Sequence, residues 1–374
     1  MISATPFSSL LPFEVALQEL LAPLSAVVPQ LVPLSKAAGL IAAGEEHTTS
    51  AVPPAPLARL DGWACTASDL VGASAMSPVM FAAPPAWIEV GEALPPACDS
   101  VMSPDTVEQR GPVWLAIAET LPGDGVLRSG EWLAAGAGSF RAGQIIGAAD
   151  IVLAEAEERA AILCRIPRVV LIDVGTQASG ISSRLVARWL TAAGARVETL
   201  VSQARDADTI GKILATVTAD LIVVIGGTGQ GVQDATAEGI ACAGHLIAHG
   251  VGLSSAPTSA IGQAGACPVV GLPGVPEAAM AGCLAFLCPI MTRLTGRACA
   301  LPLALPLLRK VSSTVGQAEL ALFAREATGW MPLAIGTMTP DHFRRADGWR
   351  IVASGDEGYP AGAVLDVDPM ESWR

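Results

Sequence analysis

The residues best placed to do chemistry lie in one stretch, Leu221 to Asp234, LIVVIGGTGQGVQD. Its five leading apolar residues read as a buried strand. Gly226, Gly227, Gly229 and Gly231 then let the backbone turn tightly and leave N–H groups accessible, with Thr228 in the same turn. Such a turn can hold an anion, and a helix starting near Asp234 would add its unsatisfied N–H groups and dipole to the attraction for a phosphate. The spacing is neither GxGxxG nor GxxxxGKS, so it indicates an oxyanion or phosphate at the end of a strand and nothing finer. A purely structural glycine turn is the alternative.

A second acidic position stands in Arg59-Leu60-Asp61-Gly62-Trp63-Ala64. Asp61 either places a carboxylate at the rim of a cleft or caps its own backbone in a turn. Glu89, Glu92, Asp99 and Asp105 are spread along the next segment and suit a cation or polar ligand, or plain solvation. His245 and His249 are four apart, but HxxxH lacks the glutamate of HExxH. The eight cysteines contain no CxxC, and most have apolar or small neighbours, which reads as reduced core thiols.

The elements that must position these groups follow from the pattern. Val169 to Val174 is a strand, Ser182 to Ala193 a helix stopped by Gly194, Arg196 to Leu200 a strand, and Ala207 to Thr218 a helix leading to the Leu221 strand. This is an α/β unit with a mostly parallel sheet, whose ligands gather beyond the carboxyl ends of the strands. Thr176, Gln177 and Ser179 would lie there, near the Gly226 loop. Pro268 to Leu272 adds a short strand. Pro273 and Gly274 then make a rigid turn into a helix from Glu277 to about Thr295, with Pro276 and Glu277 suited to its first turn. Three loops, 175–180, 226–234 and 273–277, therefore converge on one pocket.

Around this unit, residues 1–45 carry helical periodicity at Phe13, Ala16, Leu17, Leu20 and Leu21, and residues 85–120 form a small β-rich region. An acidic helix is expected over Ile151 to Cys164. After Gly296 a proline-rich linker leads to strands at Trp330 to Ile335, Trp349 to Ala353 and Ala363 to Val367, which suit a small barrel or sheet.

Length and charge bound the reading further. With 374 residues, 51% of them apolar and only 15% charged, the chain can bury several cores under a lightly charged surface, which suits self-association or a partner. A net charge of -13 with 22 Lys and Arg argues against a nucleic-acid or anionic-membrane surface. The absence of an uninterrupted apolar span and of a basic leader gives a cytoplasmic expectation.

In order and motif the chain resembles the molybdopterin molybdotransferase family. Leu60-Asp61-Gly62-Trp63-Ala64 is similar to its MDGYA, Gly91 to Val101 to TGAPLPxGADAV, Gly226 to Asp234 to GGVSxGxxD, and Leu272 to Pro276 to LPGNP. The resemblance implies a multidomain α/β and β protein of elongated shape. Its parts would be a split N-terminal region (1–58 and 144–165), a β-rich second domain (59–143), a parallel-sheet α/β molybdopterin-binding domain (166–298) and a C-terminal β-barrel (299–374). It also implies a homodimer, with the site between the α/β domain of one subunit and the second domain of the other. Molybdopterin or adenylylated molybdopterin would be the ligand, and molybdate and Mg²⁺ would enter if the chain is catalytic. Asp61 and Asp234 are then the catalytic candidates. Thr176, Gln177, Ser179, Gly226, Gly227, Thr228, Gly229, Gly231, Pro273, Gly274 and Glu277 are the pterin-binding candidates, and the metal ligands are unassigned.

The chain departs from the family where charges are expected. STGDEL is replaced by Asp173-Val174-Gly175-Thr176-Gln177-Ala178, PGKP by Ser254-Ser255-Ala256-Pro257, and the asparagine of LPGNP by Val275. Substitute acids are sought at Glu92, Asp173 and Glu277. Three functions are compatible with this set: a divergent insertion enzyme, a noncatalytic binder or carrier serving a client molybdoenzyme or another cofactor-synthesis protein, and an interaction protein that retains only the fold.

Overall fold

Phe13, Ala16 and Leu20 recur at helical spacing, and the helix they dictate, α1 (Phe13–Leu21), buries all three. In the computed structural model, which describes residues 10–175, 179–202 and 204–370, α1 packs onto an α/β core formed much later in the chain. Between them come small sheets. Gln30–Pro33 and Ile41–Ala42 both pair antiparallel with Ala161–Arg165. The acidic helix expected over residues 151–164 is therefore shorter, α2 (Ala148–Ala156), and its tail is a strand. Glu158 turns the chain at φ 58°, and the alternating Ile162 and Cys164 then bury on one face of the strand.

The β-rich region consists of two three-stranded sheets. In one, Gly62–Cys65 lies between Ala86–Ile88 and Ser100–Met102; in the other, Val113–Ala118 lies between Ser74–Met80 and Val107–Arg110. Trp63 joins them, with its ring 5.0 Å from Trp87 and 4.7 Å from Trp114.

The six-stranded sheet is built from β1 (Arg168–Asp173), β2 (Arg196–Val201), β3 (Leu221–Ile225), β4 (His245–His249), β5 (Ala260–Ala264) and β6 (Cys267–Leu272), in the order β2-β1-β3-β6-β5-β4. The first four in that order are parallel, β5 runs antiparallel to β6, and β4 runs antiparallel to β5. Helices α3 (Ser179–Ala192), α4 (Ala207–Thr216) and α5 (Thr236–Ala243) cover it. The continuous apolar runs follow from burial on both faces. Leu221, Val223 and Ile225 join the core of α1 and α3, while Ile222 and Val224 join that of α4 and α5.

After β6 comes one helix, α6 (Pro276–Thr295), containing a π turn at Cys283–Leu287 where the Cys288 N–H reaches the Cys283 carbonyl. Pro289 has no N–H to continue the α ladder, which accounts for the turn. α6 is long and apolar enough to cross a membrane, yet most of it is buried in the protein.

The C-terminal residues form a five-stranded antiparallel sheet. Its strands are β7 (Leu303–Pro306), β8 (Glu319–Glu326), β9 (Gly329–Ile335), β10 (Gly348–Val352) and β11 (Val364–Pro369), in the order β7-β11-β10-β8-β9. Its two edges meet at a single bridge, Leu307 to Trp330. The barrel expected from sequence is thus a curled sheet joined at one point. Pro306, without an N–H, limits the ladder on the closing edge.

Candidate functional site

The ends of the parallel strands are level. Asp173 is in register with Val201 on one side and Ile225 on the other, and Ile225 with Leu272. Strand order reverses between β1 and β3, so the crevice of a doubly wound sheet opens there, and the loops after β1, β2, β3 and β6 surround it.

The glycines of the β3 loop serve different purposes. Gly226 and Gly227 have φ 90° and 66°, a region that suits glycine. They are pinned by Thr236, whose N–H donates to the Gly227 carbonyl (2.9 Å) and whose hydroxyl donates to the Gly226 carbonyl (2.8 Å). Gly229 and Gly231 instead make room for a carboxylate. A Cβ on them would sit 2.6 and 2.9 Å from Asp234 Oδ2. That oxygen accepts the Gly231 N–H at 2.9 Å. Thr228 is turned inward, with its hydroxyl 3.3 Å from that of Thr258 and its carbonyl 2.9 Å from His249 Nε2. His249 thereby braces the loop.

Asp234 Oδ1 faces Arg205 Nη2 at 3.5 Å, and Arg205 Nη1 donates to Gln233 Oε1 at 3.1 Å. Arg205 comes from the loop after β2 and so reaches across the end of β1. Sequence reading missed it because its partners lie 28 and 29 residues away. The signal available was its place just beyond a parallel strand. Its neighbour Asp206 is occupied as the N-cap of α4, accepting the Thr209 N–H at 2.8 Å, and that bond holds its carboxyl below the ordinary range.

On the β6 side, Pro273 is buried and Gly274 accepts a 2.8 Å hydrogen bond from Ser182 Oγ, which ties α3 to the turn. Pro276 opens α6 and Glu277 sits half-buried in its first turn. Ser183 Oγ is buried without a partner among the described residues. Ser179 begins α3, while Thr176 and Gln177 lie outside the described residues. Ser254 does not stand in for a missing lysine here: its Oγ lies against Gly336 of the C-terminal sheet.

Asp61 is elsewhere in the chain. It is exposed at the start of Gly62–Cys65, and its Oδ1 accepts the Val90 N–H at 2.8 Å, a cross-strand contact rather than a cap of its own turn. Gly62 beside it is required because a Cβ would lie 2.0 Å from the Met102 carbonyl oxygen. Glu92 accepts the Glu89 N–H and Asp173 the Gly175 N–H, so both close local turns. Among the described residues no group of three or more His, Cys, Asp or Glu side chains is disposed to hold a metal ion. With Asp234 facing Arg205, the residues of one chain do not by themselves fit a magnesium site. A separate hollow of about 1310 Å³, lined by none of these loop residues, lies between α1, α6 and the C-terminal sheet, against Phe13, Leu17, Leu284, Cys288 and Ile351.

Residues 11–156 match the family described as MoeA N-terminal region (domain I and II), and residues 176–293 the probable molybdopterin binding domain. The chain belongs to the MoeA/molybdopterin molybdotransferase family. It is 28% identical over 301 residues to molybdopterin molybdenumtransferase 2 of Mycobacterium tuberculosis, covering 70% of this chain and 74% of the relative. Its fold is that of a MoeA protein from Pyrococcus horikoshii, with TM-score 0.69 and 23% identity over 97% of this chain and 99% of the other. A molybdenum cofactor biosynthesis protein from Pyrococcus furiosus superposes with TM-score 0.60 at 16% identity, over 96% and 100%. Membership places this MoeA-family chain in molybdenum-cofactor biosynthesis and molybdopterin binding. The molybdopterin-binding match spans the glycine loop, Arg205 and the turn into α6.

Proposed function

We propose that the chain binds the phosphate of molybdopterin in the crevice beyond β1, β3 and β6 and acts at the step that joins molybdenum to the pterin. The observation that carries this reading is the level register of Asp173, Ile225 and Leu272, which brings the 226–234 and 273–277 loops to one mouth. Backbone N–H groups of the glycine loop and the start of α5 favour an anion there. Gly226, Gly227, Gly229, Gly231, Pro273, Gly274 and Glu277 form the walls, and Thr176, Gln177 and Ser179, which follow β1 in sequence, are the further pterin-binding candidates. In a homodimer the exposed Asp61 carboxylate of one copy would face the crevice of the other, completing an acidic pair with Asp234. Adenylylated molybdopterin, molybdate and Mg²⁺ would then be the reactants, with molybdenum cofactor and AMP as products.

One observation favours a second reading, a noncatalytic carrier of molybdopterin or finished cofactor for a client molybdoenzyme. Asp234, the acid best placed for catalysis, already faces Arg205. Anaerobic calorimetric titration with molybdopterin and with adenylylated molybdopterin, followed by molybdate, Mg²⁺ and an AMP assay, separates the two. Binding with AMP release supports the insertion enzyme. Binding without turnover supports the carrier, and no binding to either ligand rejects both.

A further inference from the structure

We propose that Arg205 is the anion-binding cation of this crevice and that Asp234 occupies it until a tetrahedral oxyanion takes its place. The inference rests on the crevice being the ligand site and names the group that recognises the ligand's charge. A guanidinium offers five N–H donors in a fixed fork. In Arg205, Nη1 donates to Gln233, Nη2 is 3.5 Å from Asp234, and Nε is shielded from solvent with no partner among the described residues. The pairing with Asp234 is thus long and single-pronged, where an arginine and an oxyanion prefer two parallel hydrogen bonds. An oxyanion with the oxygen spacing of phosphate or molybdate would engage Nε and Nη2 together.

Asp234 cannot make that fork itself. Its Oδ2 is held by the Gly231 N–H and fills the space that side chains at 229 and 231 would take, within 2.6 and 2.9 Å of where their Cβ atoms would stand. The carboxylate is therefore a tethered competitor: it faces Arg205 at 3.5 Å and must yield to a ligand of higher charge. Neighbouring Asp206 does not compete, because its carboxylate caps α4. The chemical class selected is a tetrahedral dianion, either a phosphate monoester or molybdate, over monovalent anions.

The test compares the full chain with Arg205→Gln, Arg205→Lys and Asp234→Asn by calorimetry against inorganic phosphate, molybdate and chloride, and then against molybdopterin. Thermal unfolding confirms that each variant is folded, and the lysine variant keeps the charge if the glutamine variant is not. Arg205→Gln is expected to weaken phosphate or molybdate binding about ten-fold or more, and Arg205→Lys by less, because it loses the fork alone. Asp234→Asn is expected to tighten the same ions severalfold, since the competing charge is removed while an oxygen remains for Gly231. Whichever of phosphate and molybdate responds identifies the source of the oxyanion. Unchanged binding in Arg205→Gln, or weaker binding in Asp234→Asn, would overturn the proposal. If both variants behave as expected and molybdopterin fails to bind, the pterin reading falls while the anion site stands. Molybdopterin binding that is insensitive to Arg205→Gln would reject the anion site alone.

Discussion

Gly227→Ala and Gly229→Ala are neighbouring substitutions with very different expected costs. Alanine at 227 must hold φ near 66°, which costs an L-residue about 1–2 kcal/mol. Its Cβ would also lie 2.7 Å from Thr236 Oγ1 and 3.2 Å from Val174 Cγ2. Moving Thr236 breaks its buried hydrogen bond to the Gly226 carbonyl, worth about 1–3 kcal/mol once a buried group is left unmade. The total, about 2–5 kcal/mol, is a large share of ordinary domain stability. At position 229 the φ is not left-handed, and the obstacle is the end of the Asp234 side chain, only 2.6 Å away but flexible. That change should cost less than about 1 kcal/mol. Native-state hydrogen exchange of Leu221–Ile225, a strand buried along its whole length, reads the difference directly. Exchange in Gly227→Ala should accelerate by roughly 30-fold to 3,000-fold, at about 1.4 kcal/mol per factor of ten. Exchange in Gly229→Ala should accelerate by less than about ten-fold. A strand equally protected in Gly227→Ala and the parent, or equally exposed in both variants, would refute the account of the loop.

Other consequences are open to simpler assays. Glu158 and Ala97 hold φ of 58° and 71°, so Glu158→Gly and Ala97→Gly should each stabilise the chain by about 0.5–1 kcal/mol, visible as a higher thermal midpoint. Burial pushes the thiols of Cys164 and Cys288 up to about 11 and that of Cys267 to about 12, from 9.0. The neutral thiol is the form that the fold favours. The stabilisation is therefore complete below pH 9 and is lost as pH rises through 11 to 12, which an alkaline unfolding titration would follow. Alkylation at pH 8 should label exposed Cys242 and Cys299 first and reach Cys283 only on unfolding. Labelling of Cys283 in the folded chain would contradict its burial.

Much of the crevice was legible because parallel strands buried on both faces leave unbroken apolar runs, as in Leu221–Ile225, and their ends are marked by glycine and proline. Helix starts were also readable from Pro276 and Glu277. What escaped was set by distant partners. Arg205 acquires meaning only when Gln233 and Asp234 come opposite it. Glu319–Glu326, ELALFARE, has the composition of a helix and is a strand because β9 and β10 pair with it on both sides. The hairpin of His245–His249 with Ala260–Ala264 was hidden by short, glycine-containing runs without strong alternation. Cys242 and Cys299, read as core residues from their small neighbours, are at the surface: α5 turns Thr236, Ala237, Gly239 and Ile240 inward and leaves Cys242 outside, and Cys299 sits in the exposed linker after α6.

The all-round burial of α6 has a consequence for where this chain can be divided. Ala279, Cys283 and Phe286 point into the core shared with α1, while Met280, Ala281 and Leu284 join the core of the C-terminal sheet with Leu320, Leu322 and Phe343. The proline-rich linker after Gly296 is thus a seam in the covalent chain but not in the packing. A chain ended there would leave one side of its central helix unclothed and prone to self-association. The natural joint between these parts is a helix held in common, and neither part is a detachable module.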